Sequence, residues 1–168
     1  MADKKLIADI RRRAHHNDRH SGCSQAVLLA LQEGLGVGDQ DSFKAATVLS
    51  GGVARRGETC GALLGALMAL GLVRGRERME DTSAYVAAMA DADGLCDEFQ
   101  RRLEEFGFTE TLNSTLCRDI QTKIYGRSFD LRDAEQREAF YSAGGHSDRG
   151  CYRVCGVAAE VAAEKLQG

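Results

Sequence analysis

At 168 residues and without proline, the chain suits one compact domain spanning 1–168 that buries roughly two thirds of its unfolded surface and needs no disulfide to stay folded. A net charge of −3 offers neither the basic footprint of a nucleic-acid binder nor a membrane-surface patch. The opening stretch MADKKLIADIRRRAHHND alternates charge with apolar residues and has no secretory h-region, which points to the cytoplasm. There, six cysteines are expected to be reactive, metal-binding or buried rather than permanently cross-linked.

Frequent Ala, Leu, Glu, Arg and Gln favour helix and give strands little support, so the expected fold is an all-α bundle of about six to eight helices. The first helix runs from Asp3 to His16 with Leu6, Ile7 and Ile10 on one face. Its tail brings His15, His16 and His20 near Cys23, as a solvated helix end. Ser21 is the expected N-cap of a second helix that carries Cys23, Ala26, Val27, Ala30 and Leu31 inward before the GLGVGD break. A third, Asp41 to Leu49, is expected to bury Phe43, Ala45, Ala46 and Leu49. The basic, glycine-bracketed loop Gly51–Gly57 then delivers Cys60 to the most apolar helix, Thr59 to Leu72. The apolar run Gly61–Val73 is too short to span a membrane.

Thr82 or Ser83 should cap a long fifth helix that reaches Phe106 and stops at Gly107, with Cys96 deep inside it. Asn113 or Ser114 should cap a sixth that carries Leu116, Cys117, Ile120, Ile124 and Tyr125 and ends at Gly126. Residues Asp133 to Tyr141 add a short helix, and the turn Gly144-Gly145-His146-Ser147-Asp148 leads into a final one from Arg149 to Leu166.

Cys23, Cys60, Cys117 and Cys151 thus each fall near the start of a separate helix. Free N–H groups and the positive end of the helix dipole favour thiolate there, so the four are expected to act as nucleophiles or ligands. Converging, they would hold an iron–sulfur cluster or a tetrahedral zinc; as two pairs they would cycle between dithiol and disulfide. No C-x-x-C pair or C-x-x-C-H occurs, so any site comes from distant helices and covalent c-type haem attachment lacks its motif. Cys155, one turn beyond Cys151, and His146 are auxiliary ligand candidates, while Cys96 reads as a small buried hydrophobe. Arg55 and Arg56 would form an anion or cofactor contact beside Gly61 and lower the Cys60 pKa, which makes Cys60 the expected most reactive sulfur.

The run from Gly51-Gly52 through Thr59-Cys60-Gly61-Ala62-Leu63-Leu64-Gly65 resembles the signature of the redox-active protein family named after its C_GCAxxG_C_C pattern. Cys23 matches the first family cysteine before an Ala-Val helix, Cys60 the second, Cys117 the third after a Phe-Gly turn, and Cys151 the fourth, ahead of Ala158 to Glu160. Thr59 occupies the position before Cys60, and Cys96 and Cys155 stand outside the pattern. The resemblance implies a small helical protein with four characteristic cysteines, a proposed redox role, and a redox partner or transporter as associate. It extends distantly to a domain of split-Soret cytochrome. Two further readings stay open: a metal or small-anion carrier serving a transporter, and a structural bundle that dimerises through its Ala/Gly-lined helices.

Overall fold

A computed structural model describes residues 2–103 and 112–168, and among them every regular element is helical. Helix α1 (Lys4–Asn17) starts where the Asp3 carboxylate accepts from the N–H groups of Lys5 and Leu6, and it buries Ile7, Ile10 and Ala14. A 3-10 turn, Asp18–His20, leads to α2 (Cys23–Leu35). The cap of α2 is Gly22 rather than Ser21: the chain turns sharply here, with φ of 65° at Ser21 and 93° at Gly22. Only glycine enters that region without a Cβ penalty.

Asp39 and Ser42 form a reciprocal capping box that starts α3 (Gln40–Ala45), after which the chain tightens into a 3-10 turn over Ala46–Leu49. The expected single helix is therefore split, and of its expected core residues Ala46 is fully buried while Ala45 is exposed. Helix α4 (Gly61–Arg74) begins later than Thr59, because Thr59 pairs across an isolated antiparallel bridge with Leu116. Asp81, not Thr82 or Ser83, caps α5 (Thr82–Arg102) by accepting from Ala84 N–H. The expected end of that helix at Phe106 and Gly107 lies outside the described residues. Helix α6 (Cys117–Tyr125) has Leu116 at its cap, since Ser114 turns its hydroxyl to Leu116 N–H and to Asp119. Helices α7 (Ala134–Ser142) and α8 (Cys151–Gln167) follow.

Helices α1, α2, α4 and α8 pack on one another, and α5 lies across α4 and α8. The core helix α8 buries Val154, Cys155, Gly156, Val157, Ala158, Ala159, Val161, Ala162 and Ala163. Small side chains let neighbouring backbones approach it on several sides. A smaller cluster of Phe129, Leu131 and Phe140, with Tyr125 and Cys151 against it, seats α6 and α7 beside the N-terminal end of α8. No described helix is long and apolar enough to cross a membrane.

Candidate functional site: a cysteine-lined cavity

Cys23, Cys117 and Cys151 are the first residues of α2, α6 and α8, and Cys60 is the cap residue of α4. All four, joined by Cys155 one turn into α8, line a single cavity of about 410 Å³ at this end of the bundle. Cys96 does not reach it; half-buried on α5, it packs against the core. The family cysteines thus share one space, and the auxiliary Cys155 belongs with them.

Backbone pairing and two close approaches bring these helix starts together. Cys60 N–H donates to Thr115 O at 2.8 Å, Cys117 N–H to Glu58 O at 2.7 Å, and Arg118 N–H to Gly57 O at 3.1 Å. This short ladder ties the start of α6 to the start of α4. A Cβ on Gly61 would stand 2.5 Å from Cys23 Sγ, and one on Gly65 would collide with the Ser24 carbonyl. The glycines of the CGAxxG segment are therefore where α4 accepts the first turn of α2, sulfur included. Gly61 serves helix packing at this point.

The loop before Cys60 is unusual in backbone terms. Gly51, Gly52, Val53, Ala54 and Arg55 have consecutive φ values of 66°, 70°, 57°, 51° and 64°, all on the left-handed side. Each non-glycine residue in that conformation costs about 1–2 kcal/mol, and β-branched Val53 is a marked outlier. Hydrogen bonds offset the cost: Val53 N–H donates to Leu49 O, Ala54 N–H to Val48 O, Arg55 N–H to Ser50 O and Gly57 N–H to Gly51 O. Buried Ser24 steadies the base of the loop, donating to Ala46 O and meeting the Ser50 hydroxyl, both at 2.7 Å. Arg55 thereby reaches the cavity lining, while Arg56 is exposed outside it.

Burial reverses the expected electrostatics. Desolvation pushes the Cys23 thiol up to about 12, Cys60 and Asp18 add to the effect, and the N–H groups of Gly51 and Ser24 oppose it. Cys60 is also raised, first by burial; the α4 N–H groups of Leu63 and Ala62 pull it down, as a helix start should. The neighbouring charge that registers at Cys60 is the Asp18 carboxylate, not Arg55 or Arg56. Cys117, Cys151 and Cys155 stand well above the ordinary thiol value, burial again leading. Helix starts do favour thiolate here, but removal from water outweighs them, and the resting cluster consists of neutral thiols.

Several polar groups around the thiols had no evident sign in the sequence. Gln121 donates to Cys117 Sγ at 3.5 Å, and the Tyr125 hydroxyl lies 3.4 Å from Cys151 Sγ while donating to Gly145 O. Cys155 S–H points to Cys23 O at 3.9 Å. Asp18, fully buried, faces His146 Nδ1 at 3.1 Å with Oδ2, and its Oδ1 has no hydrogen-bond partner among the described residues. His146 lines the cavity as expected, but its Nδ1 is turned to Asp18 and its Nε2 lies 3.5 Å from Ser21 Oγ. His20 also lines the cavity, whereas His15 pairs with Asp148. Among the described residues no group of three or more His, Cys, Asp or Glu side chains is arranged to hold a metal ion.

Comparison with curated proteins and with solved structures yields no match. The model of one family does match, over residues 21–165, a span that takes in the left-handed loop, the CGAxxG glycines and all five cavity cysteines. On that match, the chain belongs to the family described as "Putative redox-active protein (C_GCAxxG_C_C)".

Proposed function

We propose that the chain works by thiol–disulfide exchange inside the cysteine-lined cavity, with Cys60 attacking first and Cys23 or Cys117 resolving. The observation that carries this reading is that five of the six cysteines line one cavity of about 410 Å³. Cys60 is favoured because two α4 N–H groups, those of Leu63 and Ala62, support its thiolate. A family-level redox role agrees with it. In the exchange, two protein thiols give up two hydrogens and form one S–S bond, and the disulfide that accepts them leaves as two thiols.

The reduced protein, treated with diamide and mapped by mass spectrometry, should lose two or four hydrogens, link peptides of the five cavity cysteines, and leave Cys96 alkylatable. Six freely alkylated thiols after oxidant would sink the reading.

The donor set also suits zinc or an iron–sulfur cluster, chemistry in which thiolate ligands hold the metal. Exchange is preferred because the thiols share a cavity without forming a metal-holding group among the described residues. Stoichiometric iron or zinc after anaerobic purification, lost on Cys60→Ala, would replace exchange with ligation.

A further inference from the structure

Arginines contribute to the wall of the cavity, while the buried Asp18 carboxylate, outside its lining, faces His146. Among the described residues that line the cavity none is Asp or Glu, although the chain has 25 acidic residues against 22 Lys and Arg. Arg55 and Arg137 carry positive charge there, and His20 and His146 also line it. Neither arginine forms an ion pair among the described residues; Arg137 donates only to Leu131 O, at 3.0 Å, and the Arg55 guanidinium is exposed. A guanidinium without a carboxylate, held at a cavity by three successive non-glycine residues of positive φ, marks a backbone kept in a costly shape at a site.

Apolar side chains line the same space: Ile120, Leu131, Phe140 and Val154 share the cavity with the thiols. The volume of about 410 Å³ falls in the range of organic-ligand pockets, which run from roughly 300 to 1,000 Å³, and a bare inorganic oxyanion would leave most of it unfilled. Cationic groups, apolar walls and thiols together describe a molecule with an anionic end, an organic body and a bond that sulfur can attack.

Building on the exchange reading above, we propose that the cavity takes a small organic disulfide bearing a carboxylate, which Arg55 and Arg137 recognise while its sulfur atoms meet the cysteines. A protein thiolate attacks one substrate sulfur, the substrate S–S bond breaks, and one substrate thiol leaves with the proton that the attacking thiol gave up. A second cavity thiol then attacks the mixed disulfide. The protein keeps a disulfide, the second substrate thiol leaves, and an external dithiol restores the reduced protein. Arg55 and Arg137 bind substrate and take no part in the proton or electron transfer.

The test compares three probes of similar size on the reduced full chain: dithiodipropionate, which is anionic, hydroxyethyl disulfide, which is neutral, and cystamine, which is cationic. Rates of protein oxidation are each divided by the rate of the same probe with free mercaptoethanol. The anionic probe should lead the neutral one by about tenfold at low salt and the cationic one by more, the lead shrinking as salt is added. Arg55→Gln and Arg137→Gln should each cut the anionic-to-neutral ratio severalfold, with Arg55→Lys keeping most of it. Equal normalised rates for the three probes on the unaltered protein, or a ratio unmoved in both glutamine variants, would overturn the assignment of an anionic substrate and leave exchange standing. Failure of all three probes to oxidise the protein would overturn exchange itself, and this assignment with it.

Discussion

Cys60 and Cys96 are the same residue type in opposite settings. Cys60 caps α4 beside four other thiols, under helix N–H groups and behind a strained loop. Cys96 sits well inside α5, where the backbone N–H groups are already used, and Asp93 and Asp97 add to the effect of its partial burial. The contrast extends to the helices. α4 presses glycine onto α2, while α5 buries only Leu95 and Phe99 and leaves Tyr85, Val86 and Met89 exposed. α5 is held partly by ion pairs, Arg74 to Asp91 at 2.6 Å, Lys165 to Asp91 at 3.0 Å and Arg102 to Glu164 at 2.6 Å. Partly exposed pairs of this kind contribute about 0–1 kcal/mol each. One end of the molecule is built by close approach around thiols; the other is a helix with a narrow buried face.

The sharpest break of this contrast is a single methyl group. Gly65→Ala drives a Cβ into the Ser24 carbonyl and toward Val27, so it should destabilise the fold by about 1–3 kcal/mol and disturb the Cys23 end of α2, measured by urea unfolding. Little change would mean that the α2–α4 contact is not tight. Next is the pH dependence of the reduced protein. The cavity thiols are raised in the folded state, so their contribution is fully present below the ordinary thiol value of 9.0 and is lost as pH climbs, through about 12 for Cys23. Stability should fall over that window, and a Cys23→Ala variant should lose less of it there.

Asp18→Asn removes a buried charge that raises Cys23, Cys60, Cys151 and Cys155, so alkylation of the cavity thiols at pH 8 should quicken severalfold while Cys96 stays as it was. An equal change at Cys96 would point to general loosening. α5 amides from Thr82 to Ala92 should exchange with solvent faster than those of Val154 to Ala163 in α8, and more so at high salt. The smallest effect is the mirror of the first. Gly71→Ala, on the same helix as Gly65 but with nothing within 4 Å among the described residues, should stabilise by about 0.5–1 kcal/mol.

Legibility in the sequence followed the range of the interactions. The all-α class, the glycine breaks and the helix-start placement of Cys23, Cys60, Cys117 and Cys151 were readable because they depend on neighbours a few residues away. One boundary moved because of a distant contact, where Thr59 pairs with Leu116 and α4 starts at Gly61, whereas the caps at Gly22, Asp81 and Leu116 reflect local turns and hydrogen bonds among several suitable residues. The sign of the cysteine pKa shifts is set beyond the local chain: a helix start is a local property, whereas the burial that leads every shift is not. Nothing near Asp18 in the sequence marks it as buried, yet it is a buried carboxylate against His146.

By itself, then, the sequence determined the helices, their order and which cysteines stand at helix starts, since backbone propensity, apolar periodicity and glycine act along the chain. Only the tertiary structure decided that four starts and Cys155 share one cavity, that Arg55 reaches its lining while Arg56 does not, and that the thiols rest neutral. Those outcomes depend on which residues distant in sequence exclude water from one another, a quantity that exists only once the helices have packed.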